Sequence, residues 1–367
     1  MVKQSDKNKN RLKIRLITIG LLALVWVLLI MFANYPDAVE RYYSNGLYLI
    51  ICHVLRPVFN IFPFSVGDLF YIAIICYLIY ALIKIIRLLI KREWQSAGIF
   101  LLGLTIGVQC FVIAFYLFWG MNYFRPPAAK RLNLMDSTYT TAELKSVTSM
   151  LIDSANACRA RVKDLDLQQG NKIIYHAAVE AITALSDSSV YFLTYSPDIK
   201  PSMLTPLINY MGTSGYYNPF TAESQINYQM PVFLRPFIAC HEMSHQMGYG
   251  PEDEANFVGF LAAVQSHDRL LRYSAYYQGV QEFMFALRMQ DSLARKELRK
   301  RISPVVLNDF KSERAYWLSY EGKIDAVSGF FYDNFLKANN QPQGLRTYNQ
   351  MIWLVMGWYR KNNLIHQ

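Results

Sequence analysis

Three long apolar runs near the amino terminus constrain this chain most. About twenty apolar residues suffice to cross a bilayer as a helix, and only a helix or closed barrel satisfies its backbone there. Residues 14–34 carry one basic residue at their start and are otherwise almost wholly apolar or small. Residues 67–89 form a second run, whose end is marked by Lys84, Arg87, Lys91 and Arg92, and residues 97–120 form a third with no charge at all. We therefore read 1–122 as a transmembrane region with three spans. Residues 46–63 are also apolar, but His53, Arg56, two prolines and an asparagine interrupt them, so they read as an interfacial or re-entrant piece. If that piece crossed, the remainder of the chain would change sides.

The first run is too long for a cleaved signal, and no small-residue cleavage pattern follows it, so it is expected to stay as an anchor. Basic residues favour the cytoplasmic side of a membrane. Lys3, Lys7, Lys9, Arg11, Lys13 and Arg15 precede span one, and the Lys84 to Arg92 cluster follows span two, which puts ten basic residues on one side. Arg41, Arg56, Arg125, Lys130 and Arg131 lie on the other. The expected location is the cell inner membrane, multi-pass, with the carboxyl-terminal domain outside the cytoplasm. The same residues account for most of the net charge of +10. What is left of the chain is nearly neutral, so the basic balance suits the lipid bilayer as partner and leaves no surface to track nucleic acid. The spans also lack the central ionisable or helix-breaking residues of a transport pathway.

Residues 123–367 read as one mainly helical α+β soluble domain, large enough for a single core. Helical periodicity runs through 141–164 and 171–186, and further helices are expected within 257–264, 273–289 and 316–336. Proline, glycine and serine break 190–219, and 218–227 alternates loosely, so part of it reads as a strand. Of five cysteines, only Cys158 and Cys240 fall in this domain. A disulfide between them is conceivable, but a small buried thiol is the expected role of Cys240. No Cys-x-x-Cys spacing supports a thiolate zinc or redox site.

The domain's chemistry concentrates in His241-Glu242-Met243-Ser244-His245. Positions i and i+4 of a helix share a face, so His241 and His245 can reach one metal ion, with Glu242 beside them as a general base. Pro236 suits the start of that helix and Gly248 its left-handed end. Pro251 with Glu252, Asp253 and Glu254 reads as the first turn of the next helix. A catalytic zinc site usually takes three protein ligands and keeps one open position, so one of these three acids would complete it. Glu252 is favoured, because Asn256 lies four residues on, on the same face; Glu254 is the runner-up. The flanking Arg235, Pro236 and Gly250 to Glu254 exclude a site within an apolar span.

His241-Glu242-x-x-His245 followed by Glu252-x-x-Ala255-Asn256 resembles the gluzincin metallopeptidases. Their third ligand opens an E-x-x-A-D or E-x-x-A-N run on the following helix. The resemblance implies a zincin-like fold, Zn2+ held by His241, His245 and Glu252, Glu242 as general base, and Asn256 as a companion that orients a ligand. It also implies an edge strand at 222–227 that pairs with an extended peptide substrate. One departure is the gap between His245 and Glu252. Only six residues intervene, closer to the H-x-x-G-x-x-H spacing of metzincins, whose glycine Gly248 matches. The whole chain also resembles an uncharacterised family of bacterial multi-pass membrane proteins assigned a zinc-peptidase domain.

The expected function is therefore a membrane-anchored zinc peptidase acting on a peptide or protein substrate, in which Glu242 takes a proton from an activated water and returns it to the leaving amine. A further group should stabilise the oxyanion. Tyr348 is the first candidate, with Tyr249 next and His267 behind them. The alternative is a catalytically silent zinc-binding sensor or scaffold, for which a retained Glu242 has no use.

Overall fold

The apolar runs form the helices Val2–Ala33, Val66–Ile90 and Trp94–Phe118. All three are long and apolar enough to cross a membrane. The computed structural model describes residues 2–134, 138–345 and 350–362, with side chains from residue 8. The first and third of these apolar helices pack side by side, with Trp26 meeting Tyr116 edge to face at 5.2 Å.

Residues 46–63 do not form another such helix. A wide π-type helix, Val39–Leu47, leads into Tyr48–Phe59, whose 12 residues cover only about 18 Å. This piece is bound to the domain by polar side chains that a bilayer would not tolerate unpaired. Arg56 is fully buried and donates to the Gln246 carbonyl, to Thr194 and to the Tyr195 carbonyl. Tyr48, also buried, donates to the Gln246 carbonyl at 2.8 Å.

The rest of the described chain is helical apart from one small sheet. Thr141–Arg161 starts at a capping box, in which Thr140 and Glu143 each satisfy the other's backbone N–H. It packs against Arg269–Gln290. Between these and the sheet lie Asn171–Ser188, the helix Arg235–Gln246 that carries both histidines, and Glu252–Gln265, which carries the acids. Leu151, Ile182, Phe237, Met243, Phe257 and Tyr273 belong to the core that joins them. The expected single helix over 316–336 is two, Pro304–Leu318 and Lys323–Ala338, broken around Gly322. All five cysteines are free thiols, so Cys158 and Cys240 do not pair.

The sheet has three strands, β1 (Ile199–Pro201), β2 (Gly215–Asn218) and β3 (Glu223–Ile226), in the order β1-β3-β2. β3 runs parallel to β1 and antiparallel to β2. The strand expected at 222–227 exists, but it is central and has no free edge; the edge beside it is β2. Its polar sequence hides this. Every residue of β3 is buried, and each polar side chain has a partner. Glu223 pairs with Lys200 at 2.6 Å and accepts from the amides of Val66 and Gly67, which open the second apolar helix. Ser224 donates to the Glu242 carbonyl at 2.8 Å, and Gln225 pairs with the Ser65 hydroxyl.

Candidate metal centre

The helix Arg235–Gln246 begins with Pro236 in its first turn and is buried along most of its length. Gly248 follows it at φ +80, the left-handed conformation expected of a helix stop. The chain then reverses, and Glu252–Gln265 packs back against the histidine helix. The two approach closely at Gly259, where an added Cβ would lie 2.9 Å from the His241 backbone nitrogen. Only glycine permits that approach, and it brings the first turn of the acidic helix beside the histidines.

His241, His245 and Glu252 thereby converge. All three are buried, and one ligating atom from each lies within 4.8 Å of the others. Glu252 Oε2 is 3.2 Å from His241 Nε2 and 3.6 Å from His245 Nε2, yet it makes no aligned hydrogen bond. The other oxygen, Oε1, accepts from the Tyr332 hydroxyl at 2.6 Å. Two imidazole nitrogens and one carboxylate oxygen facing a common point form a donor set that suits zinc. His245 Nδ1 sits 2.7 Å from the Tyr249 carbonyl, which fixes the proton on Nδ1 and turns Nε2 towards Glu252. The aromatic edge of Trp119, the residue after the third apolar helix, packs against the His245 ring at 5.7 Å.

The electrostatics follow from burial in company. Burial disfavours a charged His245, but the adjacent Glu252 carboxylate outweighs it and lifts the imidazole to about 9. Burial likewise opposes a charged Glu252, and His245 and His241 overcome it, holding that carboxyl well below the usual range. A cation bound between them must displace a proton from His245, so affinity would fall as the pH is lowered. Burial pushes Glu242 up to about 7, against the pull of His241 and His245. A carboxyl near neutrality can accept and return a proton at physiological pH. It lies against the start of β2, where a Cβ on Gly215 would come within 2.6 Å of Glu242 Oε1.

The other sequence candidates have different surroundings. Glu254 is buried but turned away, accepting from the Ala128 amide at 2.6 Å and from Arg131 at 2.7 Å. Asp253 stands outside the cluster, its carboxyl accepting from amides of its own helix turn. Asn256 is buried one turn beyond Glu252. Tyr249 is committed elsewhere, because its hydroxyl donates to the Tyr191 carbonyl at 2.8 Å and its ring lies beneath Arg131 at 4.6 Å. His267 is exposed just past the far end of Glu252–Gln265. At 1.5 Å per residue, that places it roughly 20 Å along the helix from Glu252. Tyr348 lies outside the described residues.

Sequence reasoning missed four side chains. Tyr332 reaches Glu252 from a helix 80 residues further on. Trp119 Nε1 donates to the His245 carbonyl at 2.9 Å, while Tyr48 and Arg56 cover the Gln246 carbonyl. Tyr48 and Arg56 satisfy the Gln246 carbonyl at the end of the histidine helix, Trp119 adds a second donor to the His245 carbonyl beside the Gly248 N–H, and Arg56 places a cation at the negative pole of the helix. No local pattern marks any of the four.

This chain belongs to a family described as a protein of unknown function (DUF3810), whose model matches residues 43–356. The matched region includes Tyr48, Arg56, Trp119, the His241, His245 and Glu252 cluster, and Tyr332. No curated protein and no solved structure matches the chain.

Proposed function

We propose that this DUF3810 member is a membrane-anchored, zinc-dependent peptidase with a gluzincin-like site. One observation carries the reading: the buried convergence of His241, His245 and the unbonded Glu252 Oε2 beside a carboxyl, Glu242, that titrates near neutrality. Bound zinc would act as a Lewis acid, polarising a substrate carbonyl and making a water acidic. Glu242 takes the proton and delivers it to the leaving amine. Tyr332 holds Glu252 in place through Oε1 and, about a third exposed, replaces Tyr249 and His267 as the candidate to donate to the oxyanion. The edge strand β2 begins beside Glu242 and offers a backbone ladder to an extended peptide. The chain would cross the inner membrane several times, with this domain outside the cytoplasm. A sensor or scaffold that merely holds a metal has no need of Glu242.

The test is metal analysis together with hydrolysis of a peptide library by the full chain in lipid nanodiscs. We expect about one zinc per chain, lost in His241→Ala and in His245→Ala, because either change leaves two protein ligands. Glu242→Gln should keep the metal and fold and lose hydrolysis by several orders of magnitude. Full zinc occupancy in both histidine variants would reject the site, and wild-type cleavage by Glu242→Gln would reject the mechanism.

A further inference from the structure

The helix Lys323–Ala338 delivers Tyr332 to the metal cluster with one face and leaves the other uncovered. Ile324, Val327, Phe330 and Phe331 are all more than half exposed, with Phe330 at 65% and Phe331 at 67%. On one side of this face a groove of about 460 Å³ runs between Ile324, Val327, Phe331 and Phe335 on the helix and Leu207 and Met211 opposite. Met203 and Tyr210 extend the exposed apolar surface beyond it. Contiguous apolar surface of this kind is normally covered by a partner or a membrane.

Continuity with the apolar helices identifies the cover. At its carboxyl end, Phe335 packs edge-on against Phe115 at 5.8 Å, and Asn339 accepts from the Tyr116 hydroxyl at 2.9 Å. Phe115 and Tyr116 belong to the last turn of the third apolar helix. The neighbouring hairpin tip behaves in the same way, because Phe220 sits 5.0 Å from Phe70 and 4.7 Å from Phe111 on the second and third apolar helices. The exposed face therefore begins where the apolar helices end. At 16 residues the helix spans about 24 Å, short of a crossing. Its charges are Lys323, Asp325, Asp333 and Lys337, the last two paired at 2.6 Å. Adhesion must therefore be apolar, with no net charge to draw it to a polyanion.

We propose that Lys323–Ala338 is an interfacial helix whose Ile324, Val327, Phe330 and Phe331 face is immersed in lipid, so that Tyr332 and the Glu252 it bonds lie beside the membrane surface. The occupant is the acyl and headgroup boundary of the bilayer. This assignment does not depend on any hydrolytic activity.

The unaltered full chain is placed in nanodiscs that contain a phospholipid with a diazirine in its acyl chain, photolysed, and mapped by mass spectrometry. Adducts are expected on the 323–338 peptide at levels comparable with those on the three apolar helices, and at least tenfold above those on the exposed helix Ser292–Arg299 of the same domain. Labelling of 323–338 no higher than that of 292–299 overturns the proposal. A second measurement uses Phe331→p-benzoylphenylalanine, a change at an exposed site. Crosslinks to lipid support the assignment, whereas crosslinks to a second chain or to an added peptide mean that a copy of this protein or a polypeptide covers the face instead.

Discussion

Glu252 and Glu254 are two residues apart and both buried, yet they have different surroundings. Successive helix positions turn by 100°, so two residues separate the carboxyls by about 200°. Glu252 faces the histidines, and Glu254 neutralises Arg131. Glu252→Gln should lower zinc affinity by at least about a hundredfold with little effect on folding. Glu254→Gln should keep the zinc but leave a buried guanidinium without its counter-charge, a loss of about 3–5 kcal/mol seen as a lower Tm. Zinc titration and thermal melts of the two variants check this, and the reverse order would move the ligand to Glu254. Glu282 offers a test away from the His-His-Glu cluster. Its carboxyl is buried, Gln278 bonds one oxygen, and the other has no partner. Burial raises it from an ordinary 4.5 to about 7. A carboxyl whose folded value is raised stabilises the fold relative to the charged state only while protonated, so stability is greatest below about pH 4.5 and falls as the pH rises through 7. In Glu282→Gln this pH-dependent loss, about 3 kcal/mol at full size, should disappear. Melts at pH 5 and pH 8 that shift equally in wild type and variant would contradict the assignment.

At the scale of elements, the histidine helix is held by parts of the chain far from it in sequence. Its carboxyl-terminal carbonyls are satisfied by Tyr48, Arg56 and Trp119, which flank the apolar helices. Trp119→Phe keeps an aromatic ring against His245 but deletes the indole donor to its carbonyl. The carbonyl keeps the Gly248 N–H at 3.0 Å, so losing the indole bond should cost about 0.5–1.5 kcal/mol. The variant is expected to melt lower while retaining its zinc stoichiometry, and an unchanged melt would show that the bond contributes nothing. The sheet makes a related point. β3 is a central strand of mostly polar residues, which is stable because Lys200, Ser65 and the opening amides of the second apolar helix satisfy them. A polar strand of this kind has no hydrophobic alternation to reveal that it is buried on both edges.

For the whole molecule, the apolar helices serve as membrane anchors in our reading, and they also form part of the scaffold of the His241, His245 and Glu252 cluster. Trp119 joins the third of them to His245 directly. Sidedness is then the decisive global property of that reading, since a peptidase could meet only the peptides on its own side of the membrane. With three crossings and the Lys84 to Arg92 loop in the cytoplasm, a reporter active only outside the cytoplasm should be active when fused after Gln367 and silent when fused after Arg92. In that topology the 46–63 piece stays on the domain side, in keeping with the polar contacts that dock Tyr48–Phe59 on the domain. A silent fusion after Gln367, with the protein shown to be present, would reject the topology.

What the sequence determined by itself was local. The length and composition of 14–34, 67–89 and 97–120 are sufficient for three apolar helices. The four-residue spacing of His241 and His245 puts both on one helical face, and Gly248 with Pro251 dictates a stop and a restart, because each of these features is set by neighbours within a turn or two. Tertiary packing decided the rest. It selected Glu252 over Glu254 through the close approach at Gly259, made β2 and not β3 the free edge, and brought in Tyr332, Trp119, Tyr48 and Arg56 from as far as 198 residues away. Such pairings depend on which surfaces meet once the core closes, and burial then requires each polar group to find whatever partner that closure supplies.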